Sequence, residues 1–273
     1  MSKLLKIGIV GCGAIGSSLA KVIISDFSRK AQLVSLYDVD IEKTYGLANK
    51  LDNKKLVALN LDDLINKVDL VIEATKVDSV FDIAKKAISS LKDIMIMSAG
   101  GAIKHYSELA ALAEEKNVRV FIPSGAISGI DGLKASACSK IHKVTLTTKK
   151  PPKAFLGVPY VLKRKIRLDN INEETVLFEG DCLTAIRAFP QNVNVAATLS
   201  MAGIGPELTI VRIVASPKID KNIHEIEIES DAGKIFSRTE NLIHPENPKT
   251  SYLAVLSAVA TLKQILNPVK IGT

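Results

Sequence analysis

Gly11, Gly13 and Gly16 stand in G-x-G-x-x-G spacing directly after the apolar run Lys6-Ile7-Gly8-Ile9-Val10 and directly before a helical pattern over Ile15 to Ile24. That spacing suits a pyrophosphate. Gly11 permits a tight turn, Gly13 lets the backbone approach the phosphates, and Gly16 lets helix and strand pack closely. Ala14 and Ile15 fall at the helix opening, where unpaired N–H groups meet the anion. A carboxylate completes the pattern. Asp38 ends the next apolar run, Leu33-Val34-Ser35-Leu36-Tyr37, about twenty residues past Gly16, where an acid binds the adenosine ribose hydroxyls. A negative charge there would repel a 2′-phosphate, so NAD is expected over NADP, although Lys43 and nearby lysines leave NADP open. The bland alternative is an ordinary βαβ turn that holds no nucleotide.

A second set of chemically capable residues lies far along the chain. In Asn222-Ile223-His224-Glu225-Ile226-Glu227-Ile228-Glu229 the period is two. His224 therefore shares an apolar face with Ile226 and Ile228, while three glutamates face water. An inward imidazole at a strand end can act as general acid or base, or be a core histidine satisfied by a carbonyl. Phe189-Pro190-Gln191-Asn192-Val193-Asn194-Val195-Ala196-Ala197 precedes or opens a helix. Asn192 or Asn194 caps that helix, or its amide binds the nicotinamide carboxamide or a substrate group. Asn247-Pro248-Lys249-Thr250-Ser251 is read as the opening of the last helix. Lys249, Thr250, Ser251 and the free N–H groups there could hold a carboxylate, with plain capping as the alternative. Arg212 interrupts an apolar strand and is either another carboxylate ligand or a paired structural charge. His105, His142 and His244 are expected to be structural or exposed, and Cys138 to be a packing residue.

These residues need elements to hold them. From Lys6 to about Phe121 apolar runs at Leu70-Val71-Ile72, Ile94-Met95-Ile96-Met97 and Val118-Arg119-Val120-Phe121 alternate with helical patterns at 61–66, 77–89 and 106–116. This predicts an α/β fold, a Rossmann-type doubly wound parallel sheet, with its ligand at the carboxyl ends of the strands. Past Ala126 the pattern predicts a second α+β domain on a mostly antiparallel sheet. Its strands are expected at 143–147, 208–216, 223–230 and 233–239, with a hairpin turn at Asp231-Ala232-Gly233 and a small-residue helix over 192–203. The expected division is a nucleotide-binding domain over 1–124 and a catalytic, substrate domain over 125–248. A C-terminal helix within 249–273 is expected to pack back on the first domain.

Composition narrows the classes. The 273 residues are 47% hydrophobic, enough for two modest cores. No apolar run is long enough to cross a bilayer, and no signal-peptide pattern opens the chain, so no membrane partner is expected. Three scattered cysteines fit a reducing, cytoplasmic setting. Four histidines without paired spacing argue against a metal site. The net charge of +7 invites a nucleic-acid reading. The lysines are spread out, however, and the densest groups (Lys149-Lys150 with Lys153, and Lys163-Arg164-Lys165) read as solvated surface. No nucleic-acid partner is expected; a milder role is attraction of an acidic substrate and a dinucleotide.

Together these segments resemble the L-aspartate dehydrogenase family over nearly the whole chain. The resemblance is carried by Ile9 to Gly16, Pro123-Ser124-Gly125-Ala126-Ile127, Phe189 to Ala197, Ala202-Gly203-Ile204-Gly205, Asn222-Ile223-His224 and Asn247-Pro248-Lys249-Thr250-Ser251. It implies NAD(P)-dependent oxidation of L-aspartate to iminoaspartate, which water converts to oxaloacetate and ammonia. A hand-over to quinolinate synthase for NAD biosynthesis and a homodimer are also implied. His224 would be the catalytic residue, and Ala126 and Asn194 would contact the cofactor. One departure is the doubled glycine in Ser98-Ala99-Gly100-Gly101-Ala102, which bears on local loop geometry. Rival readings are a dehydrogenase or reductase of another small amino or hydroxy acid, such as homoserine dehydrogenase, and a non-enzymatic NAD-binding sensor.

Overall fold

Strict alternation of buried side chains splits the first sheet's residues between two cores. The computed structural model describes residues 3–190, 193–244 and 247–272, with backbone alone at 193 and 247–250. Strands β1 (Leu5–Val10), β2 (Ala31–Tyr37), β3 (Leu70–Glu73), β4 (Asp93–Ile96) and β5 (Val120–Phe121) form a parallel sheet in the order β2-β1-β3-β4-β5. Ile7, Ile9, Leu70, Ile72 and Met95 face one core, while Val10, Val71, Ile94 and Ile96 face the other. Runs buried on both faces are what a parallel sheet covered by helices requires. The connecting helices are α1 (Ala14–Ser25), α2 (Ile41–Lys50), α3 (Leu61–Lys67), α4 (Val80–Ser89), α5 (Ala99–Ala102) and α6 (Tyr106–Lys116). From β1 the chain goes to one side for β2 and to the other for β3, which creates a switch point at the strands' carboxyl ends.

Two details differ from the expected elements. The edge strand β5 covers only Val120–Phe121, because Asn117 closes α6 in a left-handed conformation and the chain is still turning at Val118. Helix α2 follows Asp38 directly. Asp40 caps it through the Glu42 N–H, an N-terminal signal that periodicity alone passes over.

The second unit is built on a mixed sheet, ordered β10-β9-β6-β8-β7. Its strands are β6 (Ile141–Lys150), β7 (Thr175–Asp181), β8 (Ile210–Ala215), β9 (Asn222–Ser230) and β10 (Gly233–Asn241). Only the β6–β8 pair is parallel. Register places Val144 opposite Ile228, Leu146 opposite Ile226 and Thr148 opposite His224. Val211, Ile213 and Ala215 of β8 lie beside Leu146, Thr148 and Lys150, and all three are buried. Helices α7 (Ile130–Ser136), α8 (Pro159–Lys163), α9 (Cys182–Ala188) and α10 (Val193–Ala202) complete this unit, with α9 against β7 and β8. Phe155, Tyr160, Phe178 and Phe189 form an aromatic cluster with ring centroids 5.1–6.1 Å apart.

The segment expected to open the last helix is a strand. β11 (Ile243–His244) and β12 (Asn247–Ser251) pair as an antiparallel ribbon, and α11 starts only at Tyr252 and ends at Leu266. Two constraints delay the helix. Pro248 holds the residue before it extended, and pairing of Ser251 with Ile243 keeps the end of the segment extended. The Tyr252 N–H is then donated to the Leu242 carbonyl at 3.0 Å rather than left for an anion. Lys249 and Thr250 therefore lie in a strand rather than in the helix opening, while Ser251, the last strand residue, directly precedes the first residue of α11. Further along α11, Ala258 and Leu262 are fully buried in the core with Ile7, Leu19 and Leu36. By contact density the chain divides into Met1–Pro123 with Val255–Lys270, and Ser124–Ala254 with Ile271–Thr273.

Candidate active site

The glycine turn shows why each of its glycines is there. Gly11 has φ +101°, and a Cβ on it would lie 2.3 Å from the Ala74 carbonyl oxygen. A Cβ on Gly16 would lie 1.9 Å from the Gly11 carbonyl oxygen, so only glycine lets α1 sit this close to β1. Gly13 is different: it is exposed and a Cβ there would meet no protein atom within 4 Å. Ala14 and Ile15 begin α1, and no side chain caps it at Gly13. Open space beside Gly13 and uncapped helix N–H groups fit a pyrophosphate.

Asp38 sits at the end of β2 and closes on this turn. Its Oδ2 accepts the Cys12 N–H at 2.8 Å, and its Oδ1 accepts the Asp40 N–H at 3.0 Å. The carboxylate thus holds the turn in shape while keeping a negative charge beside the strand ends. The Cys12 thiol is buried and pushed up to about 11, mainly by burial, so it is not a nucleophile at neutral pH. Lys43, weighed for a 2′-phosphate, pairs with Asp40 at 3.4 Å.

Glu73 was read from the sequence only as part of a strand's carboxyl end, with no role of its own. It is fully buried at the end of β3 and accepts from the Thr75 N–H at 2.5 Å, the Thr75 hydroxyl at 2.7 Å and the Ser98 N–H at 3.0 Å. It ties the ends of β3 and β4 together at the switch point. A single acid after three apolar residues was the only signal. The doubled glycine is also explained locally: a Cβ on Gly101 would lie 2.2 Å from the Val77 carbonyl oxygen, so α5 needs glycine for packing.

In the second unit His224 is 6% exposed, and its Nδ1 lies 2.9 Å from the Thr148 hydroxyl. If Nδ1–H is donated to that oxygen, Nε2 carries the lone pair. Burial first, and the Lys150 charge second, lower the imidazole pKa from 6.5 to about 4. The ring is therefore neutral near pH 7 and able to accept a proton. The Ala126 carbonyl accepts from the Asn241 amide at 3.0 Å and lies 3.2 Å from the Thr239 hydroxyl, which is also 3.4 Å from the His224 carbonyl. The Ser251 hydroxyl donates to Asn241 Oδ1 at 2.7 Å. Three expected site positions, Ala126, His224 and Ser251, are thus joined through Thr239 and Asn241, two residues the sequence reading did not single out. Asn194 is exposed in the first turn of α10. Asn192 and the side chains of Lys249 and Thr250 lie outside the described residues.

Several expectations need correction here. The glutamates of β9 are half-buried rather than in open water: Glu225 pairs with Lys149 at 3.3 Å and with Arg238 at 2.5 Å. Of the two readings of Arg212, the paired charge is the one found: it lies 2.7 Å from Glu179. Lys150, read as solvated surface, is half-buried, and burial lowers its pKa. It lines an open pocket with Phe155, Gly157, Val158, Phe189 and Pro190. Strand alternation is the signal that would have separated it from Lys149. The remaining histidines are accounted for: His105 stacks on Phe81, His142 lies 2.7 Å from Asp231, and His244 packs edge-on against Tyr252. Among the described residues no group of three His, Cys, Asp or Glu could hold a metal, and no helix is long and apolar enough to cross a membrane.

A nucleotide-binding doubly wound unit joined to an α+β unit carrying a buried neutral imidazole defines an NAD(P)-dependent oxidoreductase. The family models agree unit by unit. "Homoserine dehydrogenase, NAD binding domain" matches residues 11–123, and "Aspartate dehydrogenase, C-terminal" matches residues 131–265. The L-aspartate dehydrogenase of Methanosarcina mazei is 47% identical over 99% of this chain and 100% of its own. That of Nitrosopumilus maritimus is 38% identical over 98% and 99%. The crystal structure of aspartate dehydrogenase from Thermotoga maritima superposes with a TM-score of 0.74 at 26% identity, covering 99% of this chain and 100% of that one. The chain belongs to the L-aspartate dehydrogenase family. A homoserine dehydrogenase from Thiobacillus denitrificans, at 14% identity and TM-score 0.65 over 97% of this chain and 73% of its own, shares the fold.

Proposed function

We propose that this protein oxidises L-aspartate to iminoaspartate, passing a hydride from Cα to NAD(P). The observation that carries this reading is the full-length similarity, at 47% identity, to a relative named L-aspartate dehydrogenase. NAD(P), when bound, supplies the hydride acceptor. Gly11, Gly13, Ala14, Ile15 and Gly16 would hold its pyrophosphate, Asp38 its adenosine ribose, and Ala126 and Asn194 further parts of it. Asp38 favours NAD, with NADP as the second possibility.

His224 serves as the base. Loss of hydride from Cα needs the nitrogen lone pair, so the substrate ammonium first gives up a proton, and neutral Nε2 receives it. The balance is L-aspartate plus NAD(P)+ to iminoaspartate plus NAD(P)H and one proton. In reductive amination His224 returns the proton as an acid. Water converts free iminoaspartate to oxaloacetate and ammonia. Lys249, Thr250 and Ser251 remain proposed substrate ligands, with the Ser251 hydroxyl already engaged by Asn241. A cytoplasmic homodimer that delivers iminoaspartate to quinolinate synthase, for NAD biosynthesis, completes the reading.

The test follows reduced-nicotinamide absorbance with L-aspartate and NAD, and with oxaloacetate, ammonia and NADH in reverse. Turnover with aspartate and none with glutamate, alanine or homoserine is expected. A preference for homoserine or another amino acid would transfer the assignment to that substrate. His224→Ala is expected to lower kcat by about a hundredfold or more, the usual contribution of a general base, with nucleotide affinity retained. Unchanged kcat in that variant would remove His224 from the mechanism.

A further inference from the structure

Two adjacent lysines at the end of β6 have opposite circumstances. Lys149 faces one side of the sheet and meets two carboxylates, Glu174 at 3.1 Å and Glu225 at 3.3 Å. Lys150 faces the other side, the side of Thr148 and His224, because strand residues alternate. Among the described residues it has neither an acceptor nor a counter-charge, and burial alone acts on its ammonium. It also lines the pocket that Phe155, Gly157, Val158 and Phe189 enclose. An ammonium moved out of water without a partner is unfavourable. An anion entering from the pocket would remove that penalty. Register puts Thr148 opposite His224, and Lys150 is the next residue of β6 on that same face.

We propose that Lys150 is the cation that receives a carboxylate of the substrate, holding a dicarboxylic amino acid on the face of the sheet that also carries His224. This rests on the reading of the protein as an amino-acid dehydrogenase. Three other cations on this sheet are held by acids: Lys149 by Glu174 and Glu225, Arg212 by Glu179, and Arg238 by Glu225 and Glu240. Lys150 differs from all three in facing apolar side chains and open pocket rather than acids. A carboxylate on it would also offset the positive charge that opposes protonation of His224.

The experiment compares wild type, Lys150→Met and Lys150→Arg. Methionine keeps the length and apolar stem and removes the charge. The expected result for Lys150→Met is a KM for L-aspartate raised at least about tenfold, as loss of a charge-assisted contact implies. The KM for NAD, the Kd for NADH and the melting temperature should stay near wild type. Lys150→Arg is expected to recover part of the loss, which a purely structural role would not produce. A KM for L-aspartate within twofold of wild type in Lys150→Met would overturn the proposal. So would an equal rise for aspartate and NAD. If wild type turns over no amino acid, the dehydrogenase reading fails by itself. Lys150 is then tested by the thermal shift that L-malate, a dicarboxylate probe, gives in the NADH-loaded protein. A shift present in wild type and lost in Lys150→Met supports the site, and an equal or absent shift in both overturns it.

Discussion

Burial makes His224 a sensor of acidity as well as the proposed base. Its pKa is about 4 in the folded chain against 6.5 when exposed. Between these values the unfolded chain binds a proton that the folded chain does not, so stability falls as pH drops from 6.5 towards 4 and is full above 6.5. The difference amounts to about 3 kcal/mol by linkage. Chemical denaturation at pH 7.5, 6 and 5 should show this loss in wild type and a smaller one in His224→Gln. Equal pH dependence in the two would mean that the imidazole is not held neutral. At this scale the sequence was partly legible. The alternation of Ile223 to Glu229 put His224 on the apolar face, and it is there. Lys150 was not legible, since two adjacent lysines read as a charge run until the extent of β6 is known.

At the scale of elements, the glycine turn separates folding from binding. Gly16 is required by the close approach of α1 to the Gly11 carbonyl, whereas a Cβ on Gly13 would meet nothing. Gly16→Ala is therefore expected to destabilise the first unit by more than about 2 kcal/mol, the range of overpacking. Gly13→Val should leave the melting temperature nearly unchanged and weaken NADH binding about tenfold or more, by filling the space the phosphates would take. Fluorescence titration with NADH and a thermal melt on both variants check this. Loss of binding without loss of stability at both positions would contradict it. The motif was readable because its strand, turn and helix follow one another locally. The ribbon of β11 and β12 was not, because pairing with Ile243 and His244, rather than the capping residues within 247–251, decides that segment's conformation.

The whole molecule adds a dependence that no local pattern announces. The core of the first unit includes Ala258 and Leu262, from a helix more than a hundred residues beyond that unit's last strand. Leu262→Ala is expected to cost about 3 kcal/mol, typical of a buried leucine, and to lower the temperature at which NADH binding is lost. Measurement of both on the same samples would test it; an effect below about 1 kcal/mol would mean the helix only rests on the surface. Amphipathic periodicity suffices to find α11, and its packing on the first domain was expected from the sequence; the particular core residues it meets came only from the tertiary structure.

Domains generally fold in the order in which they are synthesised. Here the nucleotide-binding unit is interrupted: its sheet is made first, and the helix that completes its core is made last. A nascent chain carrying residues 1–123 has all five strands of that sheet, yet leaves Ile7, Leu19 and Leu36 without Ala258 and Leu262. Completion of the cofactor-binding half must then wait on translation of the other half. Chaperone contact and proteolytic risk are greatest in that interval, and a premature stop before Tyr252 would damage the opposite end of the protein from the one it removes.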